Sequence, residues 1–270
     1  MSIPTRQTLE DMYAGFQSTP LLWKDKKVYG LEQFLPDETT NTSFKDKENN
    51  SIRLGKWVEK FVSLQFDNQK DASIILENIQ VKNNNNTIGE LDLLFDRNGQ
   101  TIHLEIAYKF YLLDNSNKTI KLENWIGPNR KDNLNLKLEK IRTKQFPLLF
   151  KEETKTHLDN IDLESIKQLT CFKAQLFVPL NSQNVSIEPL NNDCIIGTYF
   201  NYDKIDSFKD YQFYIPSKLE WLCIPNENVE WLNFEDANPI IRRFIDSHRS
   251  PLCWLYSPKN TINKHFITWW

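Results

Sequence analysis

Asp92, Glu105 and Lys109 are the residues whose types and spacing point to chemistry. Alternate residues of a β-strand share a face. On TIHLEIAYKFY (101–111), one face carries Ile102, Leu104, Ile106, Tyr108 and Phe110. The other carries Thr101, His103, Glu105, Ala107, Lys109 and Tyr111. In IGELDLLF (88–95), Leu91, Leu93 and Phe95 share one side, and Glu90 and Asp92 share the other with Ile88 and Leu94. The DRNGQ segment between the two contains Asn98-Gly99 and predicts a tight hairpin. Pairing across that turn brings Asp92 near Glu105 on the same side. Two carboxylates on neighbouring strands, with a lysine on their face, suit a hard divalent cation, Mg²⁺ or Mn²⁺. Such an ion takes oxygen ligands and needs only one or two protein carboxylates. A polar hairpin face is also what the solvated side of an antiparallel pair looks like, so the pattern alone leaves both readings open.

The elements that must position these residues follow from periodicity. Leu9, Met12, Tyr13 and Phe16 predict an amphipathic helix over 7–17, and Leu54, Trp57, Val58 and Phe61 predict another over 52–66. The polar stretch DETTNTSFKDKENNS between them reads as an exposed connection. SIILENIQV (73–81) is a strand, with the NNNN run (83–86) as a solvated hairpin tip. After Gly127-Pro128, Leu134, Leu138 and Ile141 predict a helix over 131–146, punctuated by Pro147. CFKAQLFVPL (171–180) is a further strand. Short strand-like pieces are expected around Phe213, Trp221 and Trp231, then a helix, ANPIIRRFIDSH, before the closing CWLYS and HFITWW. The order implies an N-terminal helical extension (1–50), a core (51–180) and an aromatic-rich extension (181–270) packed on it as one unit.

A chain of 270 residues with 40% hydrophobic and 26% charged residues has ordinary globular composition, which excludes disordered and collagen-like classes. The net charge of −3 argues against a bulk polycation but not against a local basic groove. The four cysteines are widely spaced, with no C-x-x-C, so a reduced, cytoplasmic protein is expected rather than a zinc or disulfide scaffold. No segment reads as a signal peptide or a membrane span. No P-loop, G-x-G-x-x-G or nucleophile elbow is present.

The basic stretch is 118–144. It holds Lys118, Lys121, Arg130, Lys131, Lys137, Lys140, Arg142 and Lys144 against Glu123, Asp132 and Glu139. Positive charge beside a carboxylate pair is what a phosphodiester of DNA or RNA needs, since phosphate contacts supply most of the affinity. Arg130 and Lys131 would lie where the helix begins and Lys137 one turn in, pointing toward the carboxylates. Gln145, near the helix end, is within reach of the strands. A solvated helix face has the same composition. The tryptophans could stack bases, although large aromatics at strand spacing are more often core. His103 shares the face of Glu105 and reads as a supporting or solvated residue rather than a ligand.

The segments RLGKWVEKFVSLQF, TIGELDLLF, HLEIAYKFYL and WIGPNRKDNLNLKLEKIRTKQFPL, followed by FKAQLFVP, resemble the bacterial domain-of-unknown-function family 1853. That family is placed in the PD-(D/E)XK nuclease superfamily. The resemblance implies an α/β fold, a restriction-endonuclease-like mixed sheet with a helix–strand–strand–strand–helix–strand core flanked by helices, and a β-rich C-terminal extension. By the same resemblance, Asp92 and Glu105 would be the metal ligands, with the carbonyl of Ile106 completing the protein's share and Glu59 as an additional ligand. Glu90 would have a supporting role. The implied activity is Mg²⁺-dependent hydrolysis of phosphodiester bonds in nucleic acid. The superfamily's Glu-x-Lys spacing is broken here: Ala107 follows Glu105 by two, and the lysine comes at Lys109, about 7 Å further along the strand. That departure favours an alternative, an inactive nuclease fold used for nucleic-acid binding or protein interaction.

Overall fold

In the computed structural model, alternation and turn chemistry produce the expected three-strand meander. The structure describes residues 4–35, 52–67, 69, 71–114, 120–158, 161–182 and 185–270. The polar connection at 37–51 and Lys118 lie outside the described residues. β1 (Ala72–Asn83) turns into β2 (Asn86–Arg97), and β2 into β3 (Gln100–Leu113). The second turn places Asn98 and Gly99 at φ 54° and 78°, the positive values that a two-residue hairpin turn of this hand requires.

β3 is central because it is covered on both faces. Its even-numbered residues, Ile102 to Leu112, join a core cluster with α1 (Arg6–Ser18) and α2 (Leu54–Asp67), through Phe16, Trp57 and Phe61. Its odd-numbered Ala107, Tyr111 and Leu113 pack against Leu134, Leu138 and Ile141 on the opposite side. These belong to α3 (Leu134–Lys140) and to the wider π-helical turn Ile141–Gln145 that continues it. The helix starts later than the periodicity predicts. Asn133 caps it, its side chain accepting from Leu136 N–H, and asparagine is a preferred residue there. Pro147 does not end the run either, because one more turn, α4 (Phe146–Leu148), holds it. The short α5 (Glu152–Lys155) follows.

This helical segment and the two-residue β4 (Trp125–Ile126) form the crossover to β5 (Lys167–Pro179), which pairs with β3 in parallel from Ile102↔Lys167 to Leu112↔Phe177. Parallel neighbours cannot be joined by a hairpin, so the intervening helices are obligatory. The chain beyond 181 does not pack on this sheet as a separate layer: it enlarges it. β6 (Ile195–Asn201), β7 (Gln212–Tyr214), β8 (Leu252–Tyr256) and β9 (Ile262–Thr268) continue the order as β1-β2-β3-β5-β6-β9-β8-β7, and β4 pairs with β3 at the side. The result is a nine-stranded mixed sheet flanked by helices, with α6 (Phe234–Asp246) over the far strands. Trp221 lies in a 3₁₀ turn, Glu220–Leu222, rather than a strand, and Trp231 lies outside the strands beside the Leu232–Phe213 bridge. Trp221 and Trp254 are buried core residues, which accounts for them without base stacking.

Candidate active site

The site forms where β2 leaves β3. The two strands pair from Arg97↔Gln100 to Leu93↔Leu104, and no further. Beyond that point β2 stays with β1 while β3 runs on beside β5, so the sheet forks at Asp92. The backbone N–H of Ile106 lies where the β2 ladder has already ended. Asp92 replaces the missing strand, its Oδ2 accepting that N–H at 2.8 Å. The aspartate therefore satisfies a backbone donor that would otherwise be orphaned, and this fixes its carboxyl in the fork.

Glu105 sits directly beside it. Only 1% of its surface is exposed, and its carboxyl is within hydrogen-bonding reach of Asp92. Two more donors hold it. His103 Nε2 lies 3.2 Å from Oε1, and the amide of Gln145 donates to Oε2. Gln168 Nε2, which also donates to the Phe146 carbonyl, lies 3.0 Å from Nδ1 of His103. With an amide donor on Nδ1, the ring proton falls on Nε2 and points at Glu105. Burial keeps this imidazole neutral, its pKa pushed down to about 4. His103 is fully enclosed, not solvated.

On the helix side, Lys137 Nζ donates to Gln145 Oε1 at 2.9 Å, so the lysine reaches Glu105 through the amide. Burial lowers the pKa of Lys137, and the charges of Glu105 and Asp92 oppose that shift. On the α2 side, Lys56 holds Glu59 at 2.7 Å and also pairs with Glu90. Glu59 is close enough to feel the charge of Asp92.

Three carboxyls at this one place are raised. Burial, reinforced by the charge of Glu105, pushes Asp92 up to about 7. Burial pushes Glu105 up to about 8, with Lys137 offsetting part of the shift. Burial likewise lifts Glu59 to about 7 against the pull of Lys56. Carboxyls buried close together respond in this way when nearby cations offset the burial only in part, and such clusters mark functional sites more often than chance.

The remaining expected residues divide. Lys109 does not turn to the carboxylates; it pairs with Asp132 at 2.7 Å. Arg130 pairs with Asp114 at 3.0 Å and stacks over Trp270, away from the fork. Lys131 lines a cleft of about 620 Å³ that opens beside Ile106 and also contains Lys109 and Lys137. The sequence allows His103 a supporting role and brings Gln145 within reach of the strands, but does not show that both clamp Glu105. For His103 a signal existed, since it shares a strand face with Glu105 two residues away.

Among the described residues, no group of three or more His, Cys, Asp or Glu gathers closely enough to hold a metal ion. The two carboxyls at the fork are oxygen donors, the kind that a hard cation retaining several waters accepts.

Residues 19–264 match the model of a family described as a domain of unknown function (DUF1853). The chain belongs to that family. No curated protein and no solved structure matches it. No helix among the described residues is long and apolar enough to cross a membrane.

Proposed function

We propose that the protein is a metal-dependent phosphodiesterase acting on nucleic acid, with a restriction-endonuclease-like core. The observation that carries this reading is the pair Asp92 and Glu105, held together in the fork with raised pKa values, beside a cationic cleft lined by the neighbouring Ile106 and by Lys137. The order α2–β1–β2–β3–α3–β5, with the aspartate on the second strand and the glutamate on the third, supports it.

In this reading Asp92, Glu105 and the Ile106 carbonyl would hold Mg²⁺ or Mn²⁺. Such an ion, when bound, would lower the pKa of a coordinated water and offset charge growing on the phosphodiester. Asp92 is oriented by the Ile106 N–H, and Glu105 by His103 and Gln145. Lys137 supplies the positive charge that the Glu-x-Lys position, here Ala107, does not. It stands next to the carboxyls and can neutralise a phosphate oxygen that enters beside them. Glu59 stays with Lys56 as a flanking carboxylate.

The second reading, an inactive nuclease fold that binds nucleic acid or protein, rests on Ala107 and on Lys109 being turned to Asp132. Digestion of single- and double-stranded DNA and RNA with Mg²⁺ or Mn²⁺ separates the two. The active reading expects cleavage of at least one substrate, abolished in Asp92→Ala while binding is retained or tightened. Wild-type protein that binds but cleaves none of them, indistinguishable from Asp92→Ala, would establish the inactive scaffold.

A further inference from the structure

The cleft beside the fork is built by four separate parts of the chain. Arg53, Leu54 and Gly55 lie at the start of α2, residues 106–110 come from β3, Pro128, Asn129, Lys131, Asp132 and Lys137 come from α3 and the loop before it, and Lys218 and Leu219 come from the C-terminal half. Its lining carries Arg53, Lys109, Lys131, Lys137 and Lys218 against a single acid, Asp132. Such a surplus of one sign in a concave wall concentrates anions.

Lys218 is the unexpected member. It lies outside the basic segment 118–144, and among the described residues no carboxylate pairs with its ammonium. Nζ lies 3.3 Å from the ring centroid of Trp221 and 5.1 Å from that of Phe110. These rings hold the lysine in place, and among the described residues no acceptor takes its hydrogen-bond donors. Phe110 is four residues along β3 from Ile106, about 13 Å by strand rise. A phosphate bound at Lys218 is therefore a different phosphate from one bound at the carboxylates.

The geometry points to a single-stranded segment of nucleic acid as the occupant, running from the fork along β3 with a flanking phosphate on Lys218. A volume of about 620 Å³ is within the range of pockets that enclose one small-molecule ligand. It admits a short, unpaired stretch of nucleotides. A base-paired duplex, whose strands wind about each other as a stiff rod, can lie across the mouth of a cleft this size but cannot follow its wall from Ile106 to Lys218 as a flexible strand can. The C-terminal half of the sheet is then part of the substrate site, not an appendage. This inference rests on the nuclease reading for the place of cleavage, but binding can be tested without it.

Fluorescence anisotropy in EDTA, with labelled oligothymidylate and a blunt hairpin duplex of equal charge, reads binding free of cleavage. The expected result is preference for the single strand. Lys218→Ala should weaken it about fivefold at moderate salt, the equivalent of about 1 kcal/mol. The slope of log affinity against log salt should flatten by about 0.7, one phosphate contact, and Lys218→Arg should restore both. Equal binding of duplex and single strand, an unchanged Lys218→Ala, or competition by a mononucleotide as strong as by the oligomer would each overturn the inference. Parallel digestion with Mn²⁺ keeps the two readings apart. Cleavage with an indifferent Lys218→Ala defeats the inference alone, while selective binding with no cleavage defeats only the nuclease.

Discussion

Lys173 and Lys264 are as deeply buried as Glu105, and all three lie on strands of the same sheet. Their surroundings differ. Lys173 Nζ donates to three carbonyls at the end of α1, those of Phe16, Gln17 and Thr19, at 2.9, 3.3 and 2.7 Å. Lys264 Nζ donates to Gln175 Oε1 and the Trp221 carbonyl at 3.0 and 2.9 Å. Gln175 in turn donates to Tyr108, whose hydroxyl meets Thr19. Each lysine thus neighbours neutral acceptors, and Lys173 meets the partly negative C-terminus of a helix. The effect is mechanical: α1, β5, β9 and the 220–222 turn are tied into one seam. Gly15 shows how tight it is, since a Cβ there would fall 2.0 Å from the Leu222 carbonyl oxygen. Burial moves both sets toward their neutral forms, Lys264 down to about 7 and the fork carboxyls up, but at the fork the carboxyls also face one another and their like charges add to the shift. Burial with complete partners makes structure, whereas burial beside like charge leaves a deficit that a cation can fill.

The largest effect expected from breaking this contrast is at the seam. Lys173→Met leaves the α1 carbonyls unpaired and should cost about 3 kcal/mol, read from urea unfolding. A loss below about 1 kcal/mol would mean the seam is not held there. Next comes His103→Ala, which removes a positioning hydrogen bond from Glu105. It should reduce Mn²⁺ affinity about 10–100-fold by calorimetry with little loss of fold, and unaltered affinity would detach His103 from the site.

The third test is pH. Asp92, Glu105 and Glu59 have folded pKa values of about 7, 8 and 7, above those of the free side chains. The folded state therefore binds more protons than the unfolded one between about pH 4 and 8. The stabilisation this gives is complete below that window and is lost as pH rises through it, at up to about 1.4 kcal/mol per pH unit per proton. His103, lowered to about 4, acts in the opposite direction below pH 6.5, so the useful quantity is a difference between proteins. Glu105→Gln should show a shallower fall than wild type from pH 5 to 8, and saturating Mg²⁺ should flatten the wild-type curve. Parallel curves for wild type and variant would remove the carboxyl crowding from the account. The smallest effect is at Lys109. Its half-exposed pair with Asp132 is worth under about 1 kcal/mol, and Lys109→Ala should slow cleavage less than Lys137→Ala. The reverse order would return the phosphate-facing role to Lys109.

Strand alternation and the Asn98-Gly99 turn were enough to bring Asp92 and Glu105 together, because both facts are local to one hairpin. Alternation failed at Leu93, Leu94 and Phe95, all buried, because helices cover both faces of β2 there. The meeting of Gln145 with Lys137 was hidden for a geometric reason. In an α-helix, residues i and i+7 share a face. The π-helical turn inserts one extra residue, so Lys137 meets the residue at i+8, and a 3.6-residue period cannot show it. Nor could any local pattern show that β6 to β9 extend the sheet, since their pairings are set by strands far away in sequence. The same holds for Lys218, which enters the cleft from a turn with no basic neighbours beside it.

The β2–β3 turn has a kinetic consequence. Asp92 and Glu105 approach across a short hairpin, the kind of contact that closes early because little chain entropy opposes it. Lys137 and Gln145 arrive only with the crossover to β5, a closure spanning most of the residues between β3 and β5. During refolding at neutral pH the two carboxylates therefore repel before their lysine is present. Refolding in mild acid, where both are protonated, meets no such opposition at that step.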